Sequence, residues 1–370
     1  MTRILGIETS CDETAVAVVR DGAHVESNVI ASQTDLHARY GGVMPEQASR
    51  AHLRAILPTL EEALTVAGAD CGDIDAIAVT HGPGLAGALL VGVNVAKGLA
   101  FARRKPLLGI NHLEGHVYAN WLSPERTPGA DPSGNPLRLR PSAGTERGSE
   151  RSAEAPTFPL VALIVSGGHT DLVLSDGHGQ YRRLGRTRDD AAGEAFDKVA
   201  RLLGLGFPGG PPIERLAREG DPDAFHFPRA WLEPDSWDFS FSGLKTAVRH
   251  QVRDLGVDPD NASPEERRAK LPIADLAASF QAAVIDVLAT KVARAAGEFG
   301  ASQVALGGGV AANRGLLRAV EERAQIPVHC PEPRLCTDNA AMIAAAAYFH
   351  YQAGQRADLR LDIDPGLPIA

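Results

Sequence analysis

Two stretches of the sequence decide the predicted fold: Ile7-Glu8-Thr9-Ser10-Cys11-Asp12-Glu13-Thr14 and Ile164-Val165-Ser166-Gly167-Gly168-His169-Thr170-Asp171. In each, an apolar strand breaks into a turn of small and polar residues and then resumes as a second apolar strand. Turns of small residues expose backbone N–H groups and let a phosphate approach closely. Two similar lobes with a nucleotide in the cleft between them would explain the echo, although two ordinary β-hairpins are the commoner cause of such a pattern.

Outside these hairpins, apolar runs and helical periodicity alternate along the chain. They predict strands at residues 4–9, 14–20, 25–32, 74–80, 160–165, 171–175 and 303–306. They predict helices at residues 46–67, 85–102, 190–203, 274–299 and 313–323. Alternating strands and helices are typical of the α/β class.

The composition is that of a globular protein. Of 370 residues, 44% are hydrophobic and 22% are charged, which excludes a wholly disordered or fibrous chain. This length exceeds the usual span of one domain, so we expect two packed lobes. The formal net charge of −9 argues against binding of nucleic acid through bulk charge, so any such contact needs a local basic patch.

Cysteine usage and the N-terminal sequence predict a cytoplasmic protein. The four cysteines, Cys11, Cys71, Cys330 and Cys336, lack the spacing of a zinc knuckle or a redox motif. No signal-like apolar stretch follows Met1. The apolar region at residues 85–102 contains Asn94 and Lys97 and falls short of the roughly 20 apolar residues that cross a bilayer, so it predicts a buried helix and no membrane span.

One segment, residues 124–156, differs in composition from the rest of the chain. It is rich in Pro, Gly, Ser, Glu and Arg, and its few apolar residues cannot offset its ordering entropy, so we predict a disordered insertion. It divides an N-terminal lobe, residues 1–123, from a C-terminal lobe, residues 157–336. We expect a helix at residues 337–351 to pack back on the N-terminal lobe and a tail at residues 352–370.

The sharpest local signal is Asn111-His112-Leu113-Glu114-Gly115-His116. Histidines at positions i and i+4 of a helix lie on one face, and neutral imidazoles there suit iron or zinc. A metallopeptidase would need Glu directly after the first histidine, which Glu114 is not. Asn111 and Glu114 instead match a capping box, and the histidines could also be partly buried polar residues without a metal.

Three further sites carry candidate chemistry. Asp338 is the predicted third ligand, although it could instead cap the Ala-rich helix that follows. Asp12 and Glu13, in the first turn, could orient an attacking amine, accept its proton or hold a cation, although turns also favour Asp for backbone reasons. The glycine run at residues 307–309 joins a strand to a helix and would let the backbone approach a nucleoside, although a bare glycine turn is the commoner cause.

Taken together, these strings resemble the tRNA N6-adenosine threonylcarbamoyltransferases. The resemblance runs in family order through residues 8–12, 81–84, 111–116, 165–170, 193–198, 240–246, 307–313 and 336–343. It implies an actin-like fold shared with sugar kinases and heat-shock chaperone ATPases. It also implies transfer of the threonylcarbamoyl group from threonylcarbamoyl-AMP to N6 of the adenosine beside the anticodon, in tRNAs that read codons beginning with A, with release of AMP.

The resemblance further implies site residues. As metal ligands it implies His112, His116 and Asp338, with Fe²⁺ favoured and Zn²⁺ as the alternative. For binding the adenylate it implies Ile164, Val165, Ser166, Gly167, Gly168, Asp197, Gly210, Glu214 and Asn313. Most family members have Asp where this chain has Glu214. We expect Asp12, with Glu13, to orient the incoming amine and help remove its proton.

The implied partners are tRNA, an inactive paralogous subunit that pairs through the N-terminal lobe, and a small ATPase subunit. Because the chain is acidic, we expect the isolated chain to bind tRNA weakly and in a strongly salt-dependent way. Its basic groups cluster at Arg182, Arg183, Arg186 and Arg188, at residues 103–105, and at Arg138, Arg140, Arg147 and Arg151.

Two other classes of function compete with this interpretation. An actin-like ATPase or small-molecule kinase would use Mg²⁺ held by oxygen ligands, so it would not need the histidine pair. A non-catalytic scaffold subunit would be expected to lose the metal ligands, all of which this chain retains.

Overall fold

The computed structural model describes residues 1–124, 155–233 and 235–370. The predicted disordered insertion at residues 124–156 therefore lies almost wholly outside the described residues. The same holds for the basic residues Arg138, Arg140, Arg147 and Arg151. All structural statements below concern the described ranges.

The N-terminal lobe is built on a six-stranded sheet with the order β5-β4-β1-β2-β3-β6. Its strands are β1 (Arg3–Glu8), β2 (Glu13–Arg20), β3 (His24–Ser32), β4 (Ala76–Gly82), β5 (Leu107–Asn111) and β6 (Ser123–Pro124). Its helices are α1 (Thr34–Ala38), α2 (Pro45–Ala67), α3 (Ala86–Arg103) and α4 (His112–Tyr118). Strand alternation sends Leu5 and Ile7 towards α2 and α3, and sends Ile4 towards α4 on the opposite face.

The C-terminal lobe repeats this plan with a five-stranded sheet in the order β11-β10-β7-β8-β9. Its strands are β7 (Leu160–Val165), β8 (Thr170–Gly177), β9 (Gln180–Arg186), β10 (Gln303–Gly307) and β11 (Val328–His329). Its helices are α5 (Ala192–Leu202), α6 (Gly210–Ala217), α7 (Ser242–Asp254), α8 (Pro264–Lys270), α9 (Ile273–Glu298), α10 (Arg314–Ala324) and α11 (Pro333–Cys336).

The two quoted stretches form equivalent hairpins in the two lobes. Strand β1 pairs antiparallel with β2 and parallel with β4, and β7 pairs antiparallel with β8 and parallel with β10. The α/β prediction is confirmed, and the predicted strands and helices begin and end close to the observed ones. The prediction omitted β5, β6, β9 and β11. Strands β6 and β11 have two residues each, and β9 is polar and rich in arginine, as is typical of a sheet edge.

Helix α12 (Ala340–Gln352) packs on the N-terminal sheet, although it follows the C-terminal lobe in sequence. Its buried face consists largely of alanines, and it approaches β1 most closely at Gly6. A Cβ atom at Gly6 would lie 2.4 Å from the carbonyl oxygen of Ala340 and 3.0 Å from Ala344. Only small residues on both elements allow this contact, which places the start of α12 beside α4.

The tail after α12 was not informative in sequence, yet it packs along the N-terminal lobe. The Ala357 N–H donates to the Leu107 carbonyl at 2.8 Å, and the Asp364 N–H donates to the His81 carbonyl at 2.8 Å. The Asn111 side chain donates to the Pro368 carbonyl at 2.9 Å. The tail therefore covers the ends of β4 and β5, next to the start of α4.

Two helices, α3 and α9, are long and apolar enough to span a membrane by length and hydropathy alone. Both pack into cores of the fold. Helix α9 contributes Leu276, Phe280 and Val284 to the C-terminal core, and α3 contributes Val91 and Val93 to the N-terminal core. The sequence expectation of a buried helix at residues 85–102 agrees with the packing of the inner face of α3.

We predict that Gly6→Ala lowers the free energy of unfolding by about 1–3 kcal/mol, because the added methyl group overpacks the β1–α12 contact. Thermal and urea unfolding measure the change. Gly98→Ala, in α3, is the matched control, because a Cβ atom there meets nothing within 4 Å and alanine favours helix. Equal stability of Gly6→Ala and wild type would contradict the close approach of α12.

Candidate functional site

Helix α4 carries the histidine pair and begins with a side-chain cap. The Asn111 side chain accepts hydrogen bonds from the N–H groups of Leu113 at 2.8 Å and Glu114 at 3.4 Å. The prediction that the Glu114 side chain completes a capping box with Asn111 is wrong. The buried Glu114 carboxylate instead accepts from Tyr181 Oη at 3.0 Å and is bonded to His350 Nε2 at 2.9 Å. Tertiary partners on β9 and α12 have replaced the local bond and tie α4 to both lobes.

The two histidines of α4 meet Asp338 at the start of α12. One ligand atom from each of the three residues lies within 4.8 Å of the others. Oδ1 of Asp338 is 3.5 Å from Nε2 of His112 and 3.2 Å from Nε2 of His116. The cap of α12 is Asn339, whose side chain accepts from the Met342 N–H at 3.1 Å. Asp338 is therefore not the helix cap, and its carboxylate faces the imidazoles.

These three residues fit a metal ion. Among the described residues, neither ring nitrogen of the buried His116 has a hydrogen-bond partner, and Nε2 faces Asp338 without the alignment of a hydrogen bond. Burial lowers the pKa of His116, so its imidazole is neutral and offers a lone pair. Burial of an unbonded polar nitrogen is costly unless something binds it. Two imidazoles and one carboxylate are a donor set that iron and zinc accept.

The site contains Glu8, which sequence reasoning did not single out as a site residue. Its carboxylate, at the end of β1, is fully buried. Oε2 of Glu8 lies 2.9 Å from Nδ1 of His112 and accepts a hydrogen bond from Oγ1 of Thr80 at 2.7 Å. A carboxylate on the far nitrogen of a ligand histidine fixes the ring and turns Nε2 towards the ion. The sequence signal that could have indicated this site residue was a single acidic residue at the end of an apolar strand.

The charges around His112 hold a proton on it in the metal-free protein. Burial lowers the pKa of His112, but the neighbouring Asp338 and Glu8 carboxylates outweigh burial and raise the value to about 9. Burial opposes ionisation of Asp338, yet His112 and His116 keep its pKa below the usual value. A metal ion at Nε2 would displace the His112 proton, so metal binding should weaken as the pH falls.

Asp12 lies in the turn between β1 and β2, whereas Glu13, which the sequence placed in the same turn, is the first residue of β2. Burial raises the pKa of Asp12, and the charge of Asp338 raises it further. Burial also raises the pKa of Glu13 to about 7, against the hydrogen bond that Oε1 accepts from Ser32 at 2.8 Å. Both carboxyl groups are therefore better proton acceptors than exposed ones, and both feel the charge of Asp338.

The residues implied to bind the adenylate all belong to the C-terminal lobe, and two of them, Ile164 and Val165, are fully buried at the end of β7. The turn after β7 is held by the Gly193 N–H, which donates to the Ser166 carbonyl at 3.1 Å. Cβ atoms at Gly167, Gly168 and Gly210 would meet nothing within 4 Å, so the backbone there is open to a ligand. Three other members of the set form hydrogen bonds within the protein. Asp197 accepts from the Gly209 N–H at 2.7 Å, and Asn313 caps α10. Glu214 accepts from Arg218 at 2.8 Å and from the Arg314 N–H at 3.3 Å.

His169 is a second residue that sequence reasoning left without a role. It follows Gly168 in the C-terminal turn, and its ring centroid is 6.2 Å from that of His112. Burial, together with the charges of His112 and His116, lowers its pKa to about 4. A neutral imidazole from the C-terminal lobe thus lies beside the three ligand candidates of the N-terminal lobe and α12.

We predict that Glu8→Gln lowers metal affinity about tenfold to a hundredfold, because the amide holds the His112 ring less firmly in its ligating orientation. Competition with a chromophoric chelator measures the affinity for Zn²⁺. Glu26→Gln, at another strand carboxylate, is the control and should bind as wild type does. Wild-type affinity in Glu8→Gln would show that Glu8 does not support a metal ligand.

Relatives of known family match nearly the whole chain. A family model described as tRNA N6-adenosine threonylcarbamoyltransferase matches residues 24–139 and 141–345. A protein of that name from Thermomicrobium roseum is 58% identical over 99% of this chain and 96% of its own length. Another from Bacillus cereus is 52% identical over 100% of this chain and 97% of its own length.

Solved structures share the fold at low identity. HypF of T. kodakarensis superposes with a TM-score of 0.58 at 15% identity, over 95% of this chain and 48% of that one. Component A of the Acidaminococcus fermentans (R)-2-hydroxyglutaryl-CoA dehydratase gives a TM-score of 0.51 at 15% identity, over 96% of this chain and 100% of that one. These likenesses show the fold alone and confirm the two-lobed actin-like architecture. With its relatives at 50% identity and above, the chain is a transferase that belongs to the tRNA N6-adenosine threonylcarbamoyltransferase family.

Proposed function

We propose that the chain transfers a threonylcarbamoyl group from threonylcarbamoyl-AMP to N6 of the adenosine beside the anticodon in tRNAs that read codons beginning with A. The observation that carries the proposal is the meeting of three ligand candidates with the glycine-rich turn of the other lobe. His116 also contacts the C-terminal sheet, since a Cβ atom at Gly307 would lie 2.6 Å from its carbonyl oxygen. An acyl adenylate bound at that turn would present its carbonyl group to the histidine pair.

His112, His116 and Asp338 would hold the metal ion, Fe²⁺ by preference and Zn²⁺ as the alternative. When bound, the ion supplies a Lewis acid that polarises an acyl oxygen. Glu8 orients His112, and the apolar residues of α4 that flank the histidines keep bulk water away from them. The neutral His169 can donate or accept one hydrogen bond at the same place without adding charge.

The C-terminal lobe would bind the AMP portion. The open backbone at Gly167 and Gly168 suits a phosphate, because a Cβ atom at either residue would meet no atom of the described residues within 4 Å. The carboxylates of Asp197 and Glu214 would accept hydrogen bonds from ribose hydroxyls. The longer Glu214 side chain can serve if it exchanges its bond with Arg218, which is on the surface.

The transfer itself requires help for a weak nucleophile. The exocyclic amine of adenine is a poor nucleophile because its lone pair is delocalised into the ring, so alignment and proton removal matter. The amine nitrogen attacks the carbamoyl carbon, the bond from that carbon to the phosphate oxygen breaks, and AMP leaves. Asp12, with Glu13 beside it, would orient the amine and take its proton, a role that burial favours by raising the pKa of both carboxyl groups.

The tRNA would reach this cleft along the basic edge of the C-terminal sheet. Strand β9 is an edge strand, and its Arg186 pairs in register with Asp171, which is close to the turn at Gly168. Arg182 and Arg186 are exposed. Such a small patch on an acidic chain favours weak, salt-dependent binding by the chain alone.

Partner subunits would supply the rest of the tRNA affinity. The outer faces of α2 and α3 expose Leu53 at 66%, Leu57 at 57% and Leu90 at 43%, which supports the docking of an inactive paralogous subunit on the N-terminal lobe. The small ATPase subunit and the cytoplasmic location stay predictions from the sequence.

We predict that tRNA incubated with the chain, its partner subunits and threonylcarbamoyl-AMP gains the threonylcarbamoyl group on adenosine, as measured by mass spectrometry of the nucleosides. His112→Ala should lower the yield at least a hundredfold, because one ligand is lost, while His226→Ala, at an exposed histidine, should not change it. No modified nucleoside with the wild-type chain, or full yield with His112→Ala, would refute the proposal.

A second prediction concerns the base. Asp12→Ala should lower kcat by about a hundredfold to ten-thousandfold, with a small effect on KM for the adenylate, because the carboxylate acts on the amine and not on AMP. Single-turnover rates at saturating adenylate and tRNA measure the effect. If Asp12→Ala reacts as fast as wild type, Asp12 neither orients the amine nor accepts its proton.

A further inference from the structure

The turn that carries Asp12 is held by hydrogen bonds to three consecutive carbonyl groups. Each bond comes from a different part of the N-terminal lobe: the Leu85 N–H donates to Ser10 at 2.8 Å, Nε2 of His52 donates to Cys11 at 2.9 Å, and the Gln33 N–H donates to Asp12 at 3.1 Å. Two of these donors are backbone N–H groups, whereas His52, on the inner face of α2, donates from its side chain. It is therefore the one that a substitution can remove without altering the backbone.

The partners of His52 fix its tautomer. The Cys11 carbonyl oxygen can only accept, so Nε2 of His52 carries the proton. Nδ1 is then an acceptor, and it lies 2.7 Å from Oγ1 of Thr14, which donates to it. Burial lowers the pKa of His52 against the opposing effects of the Cys11 carbonyl and Glu8, so the ring is neutral. Both nitrogens of a fully buried imidazole are thereby satisfied.

A chain of hydrogen bonds continues from His52 to the start of α2. Nε2 of Gln33 lies 3.4 Å from both Nδ1 of His52 and the Ala48 carbonyl, so the NH₂ end of the amide faces two acceptors. Its Oε1 then accepts from Nε2 of His37 at 3.2 Å, and Nδ1 of His37 accepts from the Met44 N–H at 3.2 Å. Every donor points in one direction, from Met44 towards Cys11.

This arrangement is more specific than core packing requires. His37 and His52 are fully buried and Gln33 is 7% exposed, and burying so many polar groups is unfavourable unless each is bonded. A hydrophobic residue at position 52 could fill the same space without that constraint. The network ends on the carbonyl of the residue directly before Asp12, which is where it would control the direction of the Asp12 side chain.

We propose that His52 is a positioning residue for the transfer reaction, which fixes the turn at Cys11 and so aims Asp12 into the cleft. The inference rests on the proposed role of Asp12. A displacement of about 1 Å of a catalytic group can lower a rate a hundredfold, so the loss of one bond to the turn should be visible in kcat.

Two substitutions at His52 separate positioning from stability. In His52→Gln the amide nitrogen reaches the place of Nε2 and can still donate to Cys11, whereas in His52→Asn the shorter amide reaches only the place of Nδ1. We expect His52→Asn to lower kcat at least tenfold at saturating substrates, with the adenylate KM and the Zn²⁺ affinity changed less than twofold. We expect His52→Gln to restore kcat to within about threefold of wild type at a similar Tm. Equal kcat values in the two variants, or a wild-type kcat in His52→Asn, would overturn the proposal.

A double-mutant cycle distinguishes failure of this proposal from failure of the role of Asp12. If His52 acts through Asp12, His52→Asn should change the rate of Asp12→Ala less than twofold. Independent, additive losses would overturn the positioning role while leaving the role of Asp12 intact. A wild-type rate in Asp12→Ala would instead refute the role of Asp12, and with it any positioning for catalysis.

A spectroscopic measurement tests the hydrogen-bond geometry without any assay. Long-range ¹H–¹⁵N NMR of protein labelled with [¹⁵N]histidine reports which ring nitrogen carries the proton. We expect the His52 signals, assigned by their absence in His52→Gln, to show the neutral Nε2–H tautomer at pH 7. The Nδ1–H tautomer or a doubly protonated ring would overturn the proposed bond to Cys11.

Discussion

The close approach of α12 to β1 is the constraint on which the candidate site depends. The two histidines are neighbours on α4, but Asp338 arrives from the far end of the chain and reaches them only because α12 lies flat on the N-terminal sheet. Gly6 and the alanines of α12 allow that distance. Since protein interiors are close-packed, a bulkier contact would move Asp338 away from the histidines.

Buried charge is distributed unevenly around the site, and the distribution suits its proposed chemistry. Glu8 and Asp338 are matched by His112 and stay ionised, whereas burial raises the pKa of Asp12 and Glu13 and pushes them towards the protonated form. The first pair of carboxylates suits the holding of a cation. The second pair suits the exchange of a proton with a substrate amine, because its pKa values lie nearer to neutrality.

Much of the fold and part of the site could be predicted from the sequence, because they depend on local patterns. The hairpins, the α/β class and the histidine pair follow from strand alternation and helical spacing. The hydrogen-bond partners of Glu114, Glu8 and His52 could not be predicted, since each depends on a residue distant in sequence. Strand β9 and the tail were missed for a similar reason: their polar sequences carry little periodic signal, and their neighbours hold them in place.

X-ray absorption spectroscopy of the metal-loaded protein tests the central claim most directly, namely that two imidazoles of α4 and the Asp338 carboxylate converge on one ion. We expect a shell of nitrogen and oxygen at about 2.0–2.2 Å for Zn²⁺, with outer scattering from two imidazole rings that falls to one ring in His116→Ala. A sulfur shell, or a spectrum that His116→Ala leaves unchanged, would contradict the account.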